Sequence, residues 1–513
     1  MNVFARKEIV LSEDAKQFIH SLPPTYVNSF RKRRQLLPIW STNKYCVMVK
    51  STYLVYHRMV INSSTSGKEI VANDGSSAER NYKFLNLTNC TIKMIDDDTA
   101  GYVFCVAPEN GRGGIFFAAD TEKERIKFTQ RVAVTQNAVP KISDFDTLKL
   151  LGKGHYGRVI LAKKVKPEKN AELYAIKEMK TNQVKAKILY TERSVMEWVA
   201  NHPFILNLDY ALARGKSIFL ISKFMAGGDL FLHMQNHGGC FDERTVRFYG
   251  AELLLALEHM HKMNILHRDI KPENILLDME GHIKLADMGL AKRLESQYGR
   301  TRTMCGTDTY LPPEMVNRTP EGHGLAVDLW QFGCLLFELA AGYPPFYIPQ
   351  SSQKATHQRI LYQTVRYPSN FGATFKSLLM SLLVKNQEDR FGYHGGISEI
   401  LKHPFFDGVD WMKVQARQLV PPIVPGPVGD DFVNNFDPQF TQQAHKIHVT
   451  DDTSFLNDRD FAGFDYACPN IAYPLTTILA APRVTAVKAA QKLRREEQPE
   501  FDGDGTEFVK VKQ

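Results

Sequence analysis

Eight consecutive residues, His267-Arg268-Asp269-Ile270-Lys271-Pro272-Glu273-Asn274, hold most of the chemistry this chain could perform. A carboxylate beside a hydroxyl can accept its proton, a role open to Asp269. The amide of Asn274 and a second carboxylate, Asp287 of Asp287-Met288-Gly289, could hold Mg²⁺ against nucleotide phosphates. Upstream lie Leu151, Gly152, Lys153, Gly154, His155, Tyr156, Gly157, Arg158 and Val159, whose glycines let backbone amides approach phosphates. Alone, that loop would equally suit a dinucleotide fold. The strand-like Tyr174-Ala175-Ile176-Lys177 decides against one, because it ends in Lys177 rather than an acidic residue. Lys177 would bridge phosphates and pair with a helix carboxylate, Glu192, while its neighbour Glu178 would point to the opposite strand face. Positioning, charge neutralisation and an oriented nucleophile are what phosphoryl transfer needs.

The eight-residue run, the glycine loop and the strand ending in Lys177 resemble the catalytic loop, glycine-rich loop and V-A-I-K strand of protein kinases. The resemblance implies a bilobal fold that uses ATP and Mg²⁺. Leu151 to Val159 and Lys177 would hold the phosphates. Backbone groups of Lys223 and Met225 would read adenine, with Ser222 lining an enlarged back pocket. Asp269 and Lys271 would serve the acceptor hydroxyl, and Asn274 and Asp287 the metal. Met288 replaces the family's Phe and is expected to pack under the helix bearing Glu192, beside Met196, Leu208 and His267.

Residues 301–314 resemble the activation segment of AGC-group serine/threonine kinases, which makes Thr303 the implied phosphosite, paired with Arg268. Asp308, Thr309 and Pro312 depart from the pattern. Arg390 would pair with Glu314. Asn435-Phe436-Asp437 is similar to the AGC tail segment laid over the nucleotide. Phe461, Phe464 and Asp465 match the hydrophobic motif, with Asp465 at its phosphosite. The two rings are expected in an apolar groove beside the Glu192 helix, and Asp465 in an exposed contact.

Short β-prone runs at 45–49, 53–56, 82–85, 101–106 and 114–118 predict a small antiparallel sheet. Thr121 with Glu124 makes a capping box, and Phe128 with Val132 an apolar pair, so one helix follows. Strands closed by one such helix are similar to a pleckstrin-homology (PH) domain. By that resemblance the basic run Arg31-Lys32-Arg33-Arg34, in the first strand or its loop, and Lys44 imply a phosphoinositide clamp. By residue type alone the run is equally a solvated patch or a nuclear-import signal. PH domain, AGC kinase and tail together look most like the Akt (RAC) family.

The chain's 513 residues exceed one domain, and 43% hydrophobic content is ordinary for globular proteins. A net charge of +8 permits an anionic membrane surface and does not single out nucleic acid. Seven cysteines without zinc spacing predict reduced thiols and a cytoplasmic setting, with transient visits to the plasma membrane. No signal-peptide core, membrane span or myristoylation pattern is expected. The expected organisation is an α+β multidomain chain. It comprises an N-terminal extension (1–24), a PH-like antiparallel β-sheet domain (25–136), a linker (137–144), the kinase fold (145–406), an AGC-type tail (407–470) and a C-terminal extension (471–513).

The implied function is transfer of the ATP γ-phosphate to Ser/Thr hydroxyls of protein substrates, after activation at Thr303 by an upstream kinase. Asp229, Glu273 and Glu338 match acidic positions that meet upstream arginines in basophilic AGC kinases. A competing reading is a pseudokinase acting as a lipid-tethered scaffold, suggested by Met288, Asp308, Thr309 and Pro312.

Overall fold

The computed structural model describes residues 11–33, 39–59, 82–87, 90–97, 100–108, 114–137, 139–154, 157–165, 172–426, 433–443 and 461–468. Arg34, His155, Tyr156 and the extension from 471 lie outside them. The chain divides into units 1–467 and 468–513, the second described only at Cys468.

The chain's first described element is a helix, α1 (Glu13–Ser21), inside the stretch read only as an extension. Ser12 caps it by accepting from the Ala15 amide, and Glu13 and Asp14 suit the positive end of the helix dipole. Its buried stripe is Ala15, Phe18 and Ile19.

Seven strands follow: β1 (Tyr26–Arg33), β2 (Trp40–Lys50), β3 (Tyr53–Arg58), β4 (Lys83–Asn86), β5 (Cys90–Asp97), β6 (Gly101–Pro108) and β7 (Ile115–Ala119). They form one antiparallel sheet, ordered β4-β3-β2-β1-β7-β6-β5. Strand β5, in which Cys90, Ile92 and Met94 alternate with Thr91 and Lys93, falls where none is predicted. Helix α2 (Glu122–Asn137) closes the sheet. Its capping box is present: Thr121 accepts from the Glu124 amide at 3.3 Å, and Glu124 from the Thr121 amide at 3.2 Å. The Phe128 ring is fully buried, 4.6 Å from Phe104 and 5.5 Å from Phe30.

The next lobe contains β8 (Phe145–Gly154), β9 (Gly157–Lys164), β10 (Leu173–Lys180), α3 (Ala186–Trp198), β11 (Tyr210–Arg214) and β12 (Ser217–Lys223). The helical lobe contains α4 (Leu230–Asn236), α5 (Glu243–Lys262), β13 (Ile265–Leu266), β14 (Ile275–Leu277), β15 (Ile283–Leu285), β16 (Lys292–Arg293), α6 (Pro313–Val316) and α7 (Ala326–Ala341). It continues through α8 (Gln353–Tyr362), α9 (Ala373–Leu382), α10 (Ile397–Ile400) and α11 (Trp411–Gln415). The tail supplies α12 (Pro438–Thr441) and β17 (Tyr466–Ala467), which joins the small-lobe sheet in the order β17-β11-β12-β10-β9-β8. Among the described residues no helix is long and apolar enough to cross a membrane.

Candidate active site

Strand β10 places Lys177 and Glu178 on opposite faces, as alternation requires. Lys177 Nζ lies 2.6 Å from Glu192 Oε1 of α3 and 2.8 Å from Asp287 Oδ1. Glu178 pairs instead with Arg158 and Lys180. Burial works against the Lys177 charge, but the attraction of Glu192 and Asp287 outweighs it and raises the pKa above the ordinary range. Burial likewise raises Glu192, against the pull of Lys177. Burial would also raise Asp287, yet Lys177 and the Gly289 amide together bring it down to about 2. Asp287 therefore stays anionic.

The glycine loop separates into two roles. Cβ atoms at Gly152 and Gly154 would meet nothing within 4 Å, so the loop is open to a ligand there. At Gly157 a Cβ would lie 2.0 Å from the Glu178 carbonyl, so this glycine is demanded by strand packing. Leu151, Val159, Ala175 and the hinge residue Phe224 share an apolar cluster with Phe436 of the tail. Phe436 stacks on Phe224 at 5.3 Å, and Asn435 donates to the Ala226 carbonyl at 2.9 Å. Ser222 is buried opposite Ala175. The side chain of Lys223 pairs with Glu172, and the amide of Gly228 donates to the Met225 carbonyl.

The catalytic-loop backbone is fastened from below by α7. Asp328, fully buried, accepts from the amides of His267 and Arg268 at 3.0 and 2.9 Å, and Gln331 binds Ile270 N and the Arg268 carbonyl. These ties hold Arg268 at φ 68°, in the left-handed region. The sequence reading gave Asp328 and Gln331 no role. The available signal was a carboxylate and an amide within a helix that is otherwise almost wholly apolar.

Asp269 gathers a polar set. Its Oδ1 accepts from Thr307 Oγ1 at 2.8 Å; its Oδ2 accepts from Asn274 Nδ2 at 2.9 Å and lies 3.0 Å from Lys271 Nζ. Lys271 also donates to Thr307 Oγ1 at 2.9 Å. Thr307, unassigned in the sequence reading, thus marks where a hydroxyl meets Asp269. The Asn274 amide nitrogen is committed to Asp269, which leaves its oxygen as the atom available to a cation. That oxygen and the anionic Asp287 fit a hard cation shared with phosphates, which takes only one or two side-chain oxygens from the protein. Met288 is 1% exposed, and Met196, Leu208 and His267 are buried too.

In the activation segment Thr303 is exposed. Arg268 is buried; its Nε donates to the Leu290 carbonyl at 2.7 Å, while its Nη1 has no hydrogen-bond partner. Asp308 accepts from Gln353 of α8 at 2.8 Å, and Arg390 clasps Glu314 at 2.8 and 3.0 Å. Asp229 caps α4 through the Leu232 amide. Glu338 is 7% exposed with Oε2 unpartnered; burial first, and Glu273 second, push its carboxyl up to about 8.

In the tail, Phe464 is fully buried and Phe461 lies 5.3 Å from the Tyr190 ring of α3. The Asp465 contact is not the exposed one expected. Its carboxylate accepts from Arg214 Nη1 at 2.7 and 2.9 Å and from the Ala213 amide at 2.9 Å, with 21% of the side chain exposed.

A lysine, an amide and three acidic groups are so gathered between a β-lobe and a helical lobe. The protein kinase domain family matches residues 145–406, and the chain belongs to that family. It is similar to the serine/threonine-protein kinase sck2 of Schizosaccharomyces pombe, at 40% identity over 329 residues, 63% of this chain and 48% of that one. With the serine/threonine-protein kinase gad8 of the same organism it shares 39% identity over 336 residues, 64% of this chain and 57% of that one. With the serine/threonine-protein kinase Sgk2 of Homo sapiens it shares 38% over 340 residues, 64% of this chain and 90% of that one. The chain spans about half the length of the two fission-yeast relatives.

Proposed function

We propose that this protein is an active AGC-type serine/threonine kinase that phosphorylates basic protein segments. The observation that carries the proposal is Lys177 held 2.6 Å from Glu192 and 2.8 Å from Asp287, in a chain that also pairs Asp269 with Asn274 at 2.9 Å. Asp269 orients the acceptor hydroxyl and takes its proton as the hydroxyl oxygen bonds the γ-phosphorus and the bond to the β-phosphate oxygen breaks. Lys271 sits beside both, stabilising the developing negative charge. Lys177 positions the phosphates, with Glu192 fixing its ammonium. Asn274 and Asp287 would hold Mg²⁺, which neutralises phosphate charge when bound. The scaffold reading is weakened by the burial of Met288, which fills the place of an aromatic ring without opening the site.

Asp229, Glu273 and Glu338 form the subsite for substrate arginines; the support is an unpaired, buried Glu338 whose carboxyl lacks a counter-charge. A phosphate on Thr303, added by an upstream kinase, is matched by the unpartnered Nη1 of Arg268. Placement nearest the Akt (RAC) organisation, with a PH domain that visits anionic phosphoinositide membranes from the cytoplasm, is supported by the seven-stranded sheet closed by α2 and by Arg31, Arg33 and Lys44 near one another on β1 and β2, with Lys32 on the opposite face over the Tyr45 and Tyr56 rings. Phosphorylation of an arginine-bearing peptide, measured against Asp287→Ala, tests the activity. Transfer absent in the wild type, or retained in the variant, contradicts it.

A further inference from the structure

Three distant pieces of chain meet on α3, the helix that carries Glu192: α1, the turn between β2 and β3, and the tail at 461–467. Their meeting point is Arg193, fully buried. Arg193 Nε donates to the Phe464 carbonyl at 3.0 Å, Nη2 donates to Ser51 Oγ at 3.0 Å, and Nη1 pairs with Glu197. The guanidinium also lies 5.4 Å from the Phe18 ring and 4.8 Å from the Tyr466 ring. Ser51 in turn donates to the Asp465 carbonyl, so one hydroxyl of the first domain joins α3 to the tail.

Helix α1 closes the assembly. Trp198 Nε1 of α3 donates to the Ser21 carbonyl at 2.8 Å, and Lys50 Nζ to the His20 carbonyl. Phe18 stacks on Tyr190 at 4.4 Å and lies 6.0 Å from Phe464. Gly463 has φ 77°, and a Cβ there would sit 2.7 Å from Ile19 Cγ1, so tail and α1 are in close contact. A buried guanidinium is tolerated only while its donors are satisfied. One partner of Arg193 belongs to the tail and another to the first domain. Undocking the first domain would cost Nη2 its Ser51 partner and open the Phe18–Phe464–Tyr190 stack to water.

We propose that α1 and the first domain form an intramolecular clamp that seats the tail on α3, with Ser51 and Arg193 as positioning residues for the Lys177–Glu192 pair. The first domain then promotes catalysis rather than restraining it. The observation behind that direction is that the clamp is closed in the same structure in which Lys177 and Glu192 are paired at 2.6 Å. The proposal rests on the kinase reading above.

The test compares full-length Ser51→Asp, Ser51→Asn and Phe18→Ala with wild type, reading kcat, peptide KM and amide exchange over 186–198. Asp and Asn have nearly the same size, and both are tolerated at the Ser51 φ of 52°. Only Asp lacks a donor for the Asp465 carbonyl and sets a carboxylate against it, a repulsion that attraction to Arg193, already paired with Glu197, offsets only in part. Ser51→Asp and Phe18→Ala should lower kcat at least about tenfold, leave peptide KM within about twofold and speed α3 exchange, with Ser51→Asn within about twofold of wild type throughout. Wild-type kcat in both Ser51→Asp and Phe18→Ala, or a rise in either, overturns the clamp, as does an equal loss in Ser51→Asn and Ser51→Asp. A wild type without transfer sinks the kinase reading instead. Exchange then decides the clamp: faster α3 exchange in Ser51→Asp supports it, and unchanged exchange overturns it.

Discussion

Glu338 offers a pH test of the arginine subsite. Its folded pKa of about 8 lies above the ordinary carboxyl value, so the native protein keeps a proton that the unfolded chain has lost. Its contribution to stability therefore falls as pH rises from about 4.5 to about 8. A substrate arginine binds the ionised form, so peptide KM should fall several-fold between about pH 6.5 and about pH 8.5. Glu338→Gln should flatten that dependence while leaving kcat nearly unchanged; a KM that still falls in the variant would detach Glu338 from the subsite. Lys177, Asp269, Asn274 and Asp287 could be singled out in the sequence because phosphoryl transfer requires particular residue types at particular spacings, whereas Glu338 came only from the resemblance. Asp328, Gln331 and Thr307 could not be, since their importance lies in hydrogen bonds to a loop tens of residues away.

At the scale of elements, α3 and the tail carry the account. Phe464→Ala leaves a cavity in a fully buried site and should destabilise tail docking by about 3–5 kcal/mol. Asp465→Asn keeps shape and one acceptor but loses the charge facing Arg214, a loss of about 1–2 kcal/mol for a partly screened pair. Thermal unfolding and kcat should therefore drop further for Phe464→Ala than for Asp465→Asn. The reverse order would mean that charge, not ring burial, holds the tail. The motif at 461–465 was visible as a pattern, whereas the depth of Asp465 was not, because its partners Ala213 and Arg214 come from β11. Helix α1 was readable in principle from the Ser12 cap, the acidic first turn and the spacing of Ala15, Phe18, Ile19 and Leu22.

At the scale of the whole molecule, membrane recruitment is the further expectation. Arg31 donates to the Ala100 carbonyl at 2.9 Å and Lys44 pairs with Asp120, so an anionic headgroup must displace partners already present. Each basic residue would then contribute at most ~1 kcal/mol at an anionic surface, and binding should fade with salt. In vesicle co-sedimentation of the full chain, alanine at Arg31, Lys32, Arg33 and Lys44 together should abolish binding to phosphoinositide vesicles. Undiminished binding would refute the clamp on lipid. Most of the first sheet could be anticipated from local patterns and the two lobes from the resemblance of the motifs, but the docking of the first domain on α3 could not, since Ser51 and Arg193 are joined only in three dimensions.

Asp269, Lys271, Asn274 and Asp287 are proposed to perform phosphoryl transfer to protein hydroxyls. The most direct test is phosphorylation of a peptide library by the full chain with ATP and Mg²⁺, with Asp269→Asn as the blank. The account predicts transfer to Ser and Thr peptides bearing upstream arginines, and a loss of about 10²–10⁴-fold in the variant. Equal incorporation by wild type and Asp269→Asn, or none by either after Thr303 is phosphorylated, would contradict it.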